Sequence, residues 1–301
     1  MIKKALLMML MVQLLPSLYG YGTGENHERS SVLEGPVEQA ALNYFSHFKE
    51  SNIIREDAFV TLVQRGESMF IVDLRKAEDY DKGHVRGAVN IPWGITLSEA
   101  VEYIPQTGQV FVYCYSGQVA SQATMLMNMA GIPARSVRYG FVRGIRSVEG
   151  FESTLVSQSA PLPKNKQTID PLMKKAFETY FSDLGEPPFA NNIVSASDAV
   201  ALLASGDSQV VFLDVRRYED FAESHVPGAI SLPFESGMEE KFERIPSGRL
   251  VVVYCYSGQS SGQVVAALKV LGHRAVSVNS GIGTYKTGSK GWSNEGFPLE
   301  S

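Results

Sequence analysis

Short apolar runs separated by stretches with helical periodicity set the pattern of this chain, and the pattern occurs twice. In the first copy, Ile53 and Ile54 predict a short strand, and 56–64 predicts a helix closed by Gly66. Strands follow at 70–74 and 89–92, with a charged loop and a short helical turn at 75–83 between them. The stretch 96–103 predicts a helix, 109–114 a central strand, 119–130 a second helix stopped by Gly131 and Pro133, and 134–137 a last strand. The second copy gives strands at 193–194, 210–215, 230–233, 250–255 and 275–278, with helices at 196–204 and 264–271. Ser195 followed by Asp198 is a capping-box-like start for the first of these helices. Ahead of the series, 36–50 predicts an amphipathic helix, with Val37, Ala40, Ala41, Tyr44, Phe45 and Phe48 at helical spacing. Strands alternating with helices predict an α/β class, a mainly parallel five-stranded sheet flanked by helices in each half.

The copies share one register. Asp73 and Asp214, Arg75 and Arg216, His84 and His225, Pro92 and Pro233, and Gly117 and Gly258 all stand 141 residues apart. A constant offset over that span means duplication without insertion. The expected organisation is a first domain at 36–157, a polar, proline-bearing linker at 158–166 and a second domain at 167–300.

The 301 residues, with 44% hydrophobic and 20% charged, suffice for two domains with proper cores. A net charge of −5 with scattered basic residues gives no support to nucleic-acid binding. Residues 1–22 form a segment of their own: Lys3 and Lys4 precede an apolar run ending at Leu15, and Gly20 and Gly22 offer cleavage positions. This reads as a secretory signal peptide, with an uncleaved anchor as the alternative. The run is short for a bilayer span, so the expectation is a periplasmic or secreted protein with no stable membrane insertion after cleavage.

The chain has two cysteines, and both end the central strand of a copy, in VFVYCYSGQVASQ and VVVYCYSGQSSGQ. A thiol at the C-terminal end of a parallel strand faces the usual ligand crevice of such sheets. The turn that follows can point its amides inward as an anion nest, and the next helix adds its positive end. Both effects favour thiolate. Gly117 and Gly258 suit a turn that requires positive φ. A small buried hydrophobe is the plainer reading of each cysteine, and a Cys114–Cys255 disulfide a further one. The shared Y-C-Y-S-G-Q context favours a nucleophile, and each cysteine is expected to face its own loop.

Taken together these pieces resemble the rhodanese, or sulfurtransferase, family. They are V-D-L-R (72–75) and L-D-V-R (213–216), G-H-V-R-G-A-V-N-I-P (83–92) and H-V-P-G-A-I-S-L-P (225–233), the two Y-C-x-x-G loops, and the tail G-W-x-x-x-G-F-P (291–298). The resemblance covers nearly all of the chain beyond the leader and implies two tandem rhodanese-like domains. It implies ping-pong sulfur transfer through a cysteine persulfide, from thiosulfate or a similar small donor to cyanide or a thiol, with no metal or organic cofactor. Carried onto this sequence, the nucleophiles are Cys255 and Cys114. The cradles are Tyr256, Ser257, Gly258, Gln259 and Ser260, and Tyr115, Ser116, Gly117, Gln118 and Val119. Five residues after the cysteine, Ser260 can donate a hydrogen bond where Val119 cannot, so Cys255 ranks first. Both loops lack the basic residues common in family members that favour thiosulfate, and many tandem members keep only the second cysteine.

Arg75 and Arg216 read first as halves of ion pairs with Asp73 and Asp214. As possible guides for an anionic donor they also join the substrate-binding candidates. His84 and His225 are read as ordering their turns, Trp93 and Phe234 as pocket wall or core, and the methionines of 125–129 as core. A phosphatase of similar fold needs an Arg six positions after the cysteine, where Ala120 and Ser261 stand, and is rejected. The remaining alternative is a non-enzymatic sulfur carrier or binding module that takes sulfur from one protein and delivers it to another.

Overall fold

The computed structural model describes residues 35–46 and 51–301. The leader at 1–22 and the predicted helical residues 47–50 lie outside them. Each copy builds a sheet of five parallel strands. In the first, β1 (Ile53–Ile54), β2 (Phe70–Asp73), β4 (Ala88–Asn90), β5 (Val110–Tyr113) and β6 (Ala134–Val137) run in the order β1-β6-β5-β2-β4. In the second, β8 (Ile193–Val194), β9 (Val210–Asp214), β10 (Ile230–Ser231), β11 (Leu250–Tyr254) and β12 (Arg274–Val278) repeat that order, read from the other edge as β10-β9-β11-β12-β8. The five-stranded parallel α/β expectation therefore holds in both halves. The sequence pattern missed a small antiparallel pair, β3 (His84–Val85) with β7 (Leu155–Val156), because two-residue strands carry no periodicity.

The helix that follows each cysteine loop starts at the loop itself. These are Gln118–Met129 and Gln259–Val270, each entered through a positive-φ glycine, Gly117 at 90° and Gly258 at 91°. The second begins five residues before its predicted start at 264. The polar run QSSGQ is a weak helix former on its own, but here it is buried in tertiary contact, and packing overrides propensity. The two helices cross each other at the centre of the molecule. At the crossing, a Cβ on Gly262 would lie only 2.8 Å from the Gln118 carbonyl oxygen, so glycine permits the close approach.

The leading helix of each copy packs on the other. From Pro36–Ser46, Phe45 sets its ring edge-on against Phe234 (6.1 Å) and Phe242 (5.5 Å) of the second copy. From Pro171–Ser182, Phe181 meets Trp93 of the first at 4.9 Å. The hydrogen bonds repeat the exchange. Tyr44 donates to Gln263 Oε1 at 2.5 Å, and Tyr180 donates to Gln122 Oε1 at 2.5 Å. One apolar cluster consequently runs through both halves, from Val37 and Phe45 through Met125 and Met127 to Phe177, Val253 and Val265.

A shared core makes the halves unfold together. Trp93 lies in the first half and Trp292 in the second, so single-tryptophan variants should give coincident denaturation curves. Phe177→Ala, at a position with 0% exposure, should lower both midpoints by the equivalent of about 3–5 kcal/mol. Two separate transitions, only one of them moved, would contradict the shared core.

Candidate active site

Each central strand delivers its cysteine to the point where backbone turns into helix. Both thiols are free, and each is 2% exposed. The Gly117 amide donates to Cys114 Sγ at 3.1 Å, and the Gly258 amide donates to Cys255 Sγ at 3.1 Å. Around Cys114 the amides of Ala120, Ser116, Gly117 and Val119 all favour the thiolate. Burial outweighs them and pushes the Cys114 thiol above its ordinary value, against the expectation that the loop lowers it.

The two sites differ by one hydroxyl. Ser261 Oγ donates to Cys255 Sγ at 3.4 Å, whereas the corresponding residue of the first copy is Ala120. The sequence reading gave this role to Ser260. Ser260 instead lines a cleft of about 700 Å³ that opens over the second loop. Helical geometry explains the difference, because the helix begins at Gln259 and its first turn directs residue 261 inward.

Other candidate residues take different places. The Gln118 and Gln259 side chains leave their own loops and enter the opposite domain: Gln118 bonds Ser277 and Val278, and Gln259 bonds Val137 and the Tyr139 amide. Each carboxamide lies against the glycine of the opposite cysteine loop, Gln118 at Gly258 and Gln259 at Gly117. Tyr115 and Tyr256 act as struts, their hydroxyls donating to Asp79 (2.6 Å) and to Asp220. Ser116 and Ser257 are half-buried in the turn, as is Val119 at the helix start. Arg75 and Arg216 belong to the scaffold rather than to the donor site. Each grips its own aspartate with two nitrogens, at 2.6 Å to Asp73 and 2.7 Å to Asp214 for the closest contacts, and bonds a backbone carbonyl, Gly83 or Ser224. Such a bidentate buried pair leaves little of the guanidinium for a ligand. His84 and His225 order their turns, bonding the carbonyls of Tyr80 and Phe221 through Nδ1.

A buttress unnoticed in the sequence holds each loop from behind. The Phe141 amide donates to the Cys114 carbonyl and the Ile282 amide to the Cys255 carbonyl, both at 2.7 Å. The preceding Gly140 and Gly281 lie so close that a Cβ would sit 2.5 Å and 2.2 Å from those carbonyl oxygens. The readable signal was a glycine repeated at the shared offset just after each last strand.

The mouth of the second site carries charge of both signs. Its cleft is lined by Arg217, Lys241 and Arg244 and by Glu219 and Glu235, with the loop residues Tyr256 and Ser260. Arg217 pairs with Asp220 and Lys241 with Glu235, and Arg244 has no carboxylate partner among the described residues. At the shared offset the first copy has Lys76, Ala100 and Tyr103. Among the described residues no group of three or more side chains could hold a metal ion, and no helix is long and apolar enough to cross a membrane.

One family model matches more than half of the chain. A sequence model of the rhodanese-like domain matches residues 57–151 and 195–295. The chain is similar to a putative sulfur carrier protein, YrkF, of Bacillus subtilis, 33% identical over 75 residues, which are 25% of this chain and 40% of that protein. It is also similar to the thiosulfate sulfurtransferase PspE of Escherichia coli, 33% identical over 72 residues, 24% of this chain and 69% of the relative. Among solved structures, SseA from Escherichia coli, described as having the rhodanese fold of 3-mercaptopyruvate sulfotransferases, is 19% identical. That match covers 76% of this chain and 98% of SseA, with a TM-score of 0.35.

Two measurements test this geometry. Gly281→Ala should displace the second loop and slow alkylation of Cys255, and it should destabilise the protein more than Gly288→Ala, whose φ of 64° is similar but whose surroundings are open. Equal effects would remove the buttress from the site. Because burial raises the Cys114 thiol, its alkylation rate should climb only above the pH at which free cysteine reacts. A profile displaced to lower pH would refute that.

Proposed function

Because the chain belongs to the rhodanese-like family, with two tandem domains that carry one cysteine each, we propose that it moves sulfane sulfur from thiosulfate, or a similar anionic donor, to a thiol or cyanide through a persulfide on Cys255. The observation that carries this reading is a sulfur held by an amide and a hydroxyl beneath a cleft in which Arg217 and Lys241 pair with carboxylates and Arg244 has no carboxylate partner among the described residues. Sulfur transfer in general is the activity of the family; donor, acceptor and covalent intermediate are our inference.

In the first half-reaction the Cys255 thiolate attacks the outer sulfur of thiosulfate. The sulfur–sulfur bond breaks and sulfite leaves with its electron pair. The persulfide that remains is anionic, so the Gly258 amide and the Ser261 hydroxyl suit it as they suit the thiolate. In the second half-reaction an acceptor thiolate or cyanide attacks the outer sulfur, and the electron pair of the broken bond returns to Cys255. Arg217, Lys241 and Arg244 draw the doubly charged donor to the mouth, which loops without charged side chains cannot do alone.

The first loop fits a slower, carrier-like role. Burial pushes its thiol above the ordinary value, and Ala100 and Tyr103 replace the two cations on the approach. The leader read at 1–22 would put this chemistry in the periplasm or outside the cell.

Turnover with thiosulfate and cyanide should vanish in Cys255→Ser and largely survive in Cys114→Ser. Survival in Cys255→Ser would reverse the assignment, and no turnover in the unmodified protein would favour the carrier. Lys241→Ala with Arg244→Ala should raise KM for thiosulfate about fivefold with little change in kcat, an effect that shrinks with added salt.

A further inference from the structure

Behind Cys255 a line of side chains leads out of its own domain. Ser261 Oγ contacts Cys255 Sγ at 3.4 Å and Ser277 Oγ at 2.8 Å. Gln118 Nε2, from the first domain, contacts Ser277 Oγ at 2.8 Å and the Val278 carbonyl at 3.1 Å. Gln118, Ser261 and Ser277 are all buried, with exposures of 2%, 0% and 0%. An amide nitrogen can only donate, and the one hydroxyl hydrogen of Ser261 goes to Cys255, so Ser277 is the donor of the remaining link. Gln118 donates to Ser277, Ser277 to Ser261, and Ser261 to the sulfur. Each link polarises the next in the same sense, and the chain ends on the atom that carries negative charge.

A second contact ties the same glutamine to the buttress. Gln118 Oε1 accepts from the Ser280 amide at 3.3 Å. Ser280 has φ of 65°, a conformation that non-glycine residues adopt at a cost, and Gly281 and Ile282 follow it against the Cys255 carbonyl. The approach needs room, which Gly258 supplies: a Cβ there would lie 2.7 Å from the Gln118 carboxamide.

The mirror arrangement in the first domain stops short. Gln259 Nε2 reaches Ser121 Oγ at 3.5 Å, and Ser121 contacts Ser136 at 3.0 Å. Ala120 occupies the place of Ser261, so no hydroxyl continues to Cys114. The two sites thus share a frame, and a completed donor line distinguishes the second.

We propose that Gln118 is a positioning residue for the opposite domain's active site: through Ser277 and Ser261 it directs a hydrogen-bond donor at Cys255 and holds that sulfur in its anionic forms. The second domain is then an incomplete sulfur site without the first. This rests on Cys255 being the reactive sulfur. Titratable groups on the elements around it are the Asp214–Arg216 pair with Tyr254, Tyr256 with Asp220, Arg143 against Ser280, and Arg217, Glu219, Glu235, Lys241 and Arg244 at the mouth; none belongs to the line.

The test is the pH profile of iodoacetamide alkylation at each cysteine, read by peptide mass spectrometry on the full chain. Cys114 is an internal control in the serine variants. Ser261→Ala, Ser277→Ala and Gln118→Met should each move the Cys255 profile upward by about one unit, a roughly tenfold lower rate at neutral pH, and the two serine variants should leave the Cys114 profile in place. Ser261→Ala removes one atom from the last link and keeps the fold if Gln118→Met does not. A Cys255 profile unmoved by Ser261→Ala overturns the proposal, whether or not thiosulfate turns over. A profile moved by Ser261→Ala but not by folded Gln118→Met overturns the interdomain link. Shifts in all three uphold it even if thiosulfate is not the donor.

Discussion

Burying a sulfur at a junction of strand and helix, ringed by backbone donors, is the constraint on which the rest of the molecule depends. A sulfur that is only 2% exposed has lost most of its water, and for it to carry the negative charge that the proposed transfer requires, every donor lost must be replaced by protein. The backbone supplies the replacement where a strand ends and a helix begins, through a positive-φ glycine and a first turn of free amides. The fold positions this junction twice. Cys114 shows how narrow the balance is, since four favourable amides do not overcome its burial.

The second constraint is that the junctions must not drift. Each is clamped from behind by a glycine-led segment that bonds the cysteine carbonyl, and from the side by a tyrosine tied to an aspartate. The clamps in turn lean on the other half of the molecule. Leading helices are exchanged, glutamines cross the interface, and a single apolar core joins the sheets. Duplication gave both halves the same frame. Differences at a few positions, Ala120 against Ser261 and Ala100 against Lys241, then make the sites chemically unequal.

Much of this was legible in the sequence because it is local. Strand and helix order, the Ser195 cap, the glycine turns and the resemblance to rhodanese domains all depend on residues close in the chain or on a repeated offset. The crossing glutamines were not legible. Gln118 and Gln259 stand inside the loop motif and look like ligand donors, but a partner 159 residues away, as Ser277 is for Gln118, leaves no local trace. Ser261 was overshadowed by Ser260 because the helix start was placed five residues late, which hides which side chain faces the sulfur. The ion pairs of Arg75 and Arg216 were anticipated, and their closure explains why the cations that reach the cleft come from elsewhere, Arg217 and the short helical segment Met238–Arg244.

The most direct measurement is peptide-level mass mapping after brief incubation of the full chain with thiosulfate and removal of excess donor. The expected result is one added sulfur, about 32 Da, on the Cys255 peptide, discharged by cyanide, with at most slow labelling of the Cys114 peptide. Sulfur found first or only on Cys114, or a disulfide joining the two cysteines in the active protein, would contradict the assignment of the second loop as the working site.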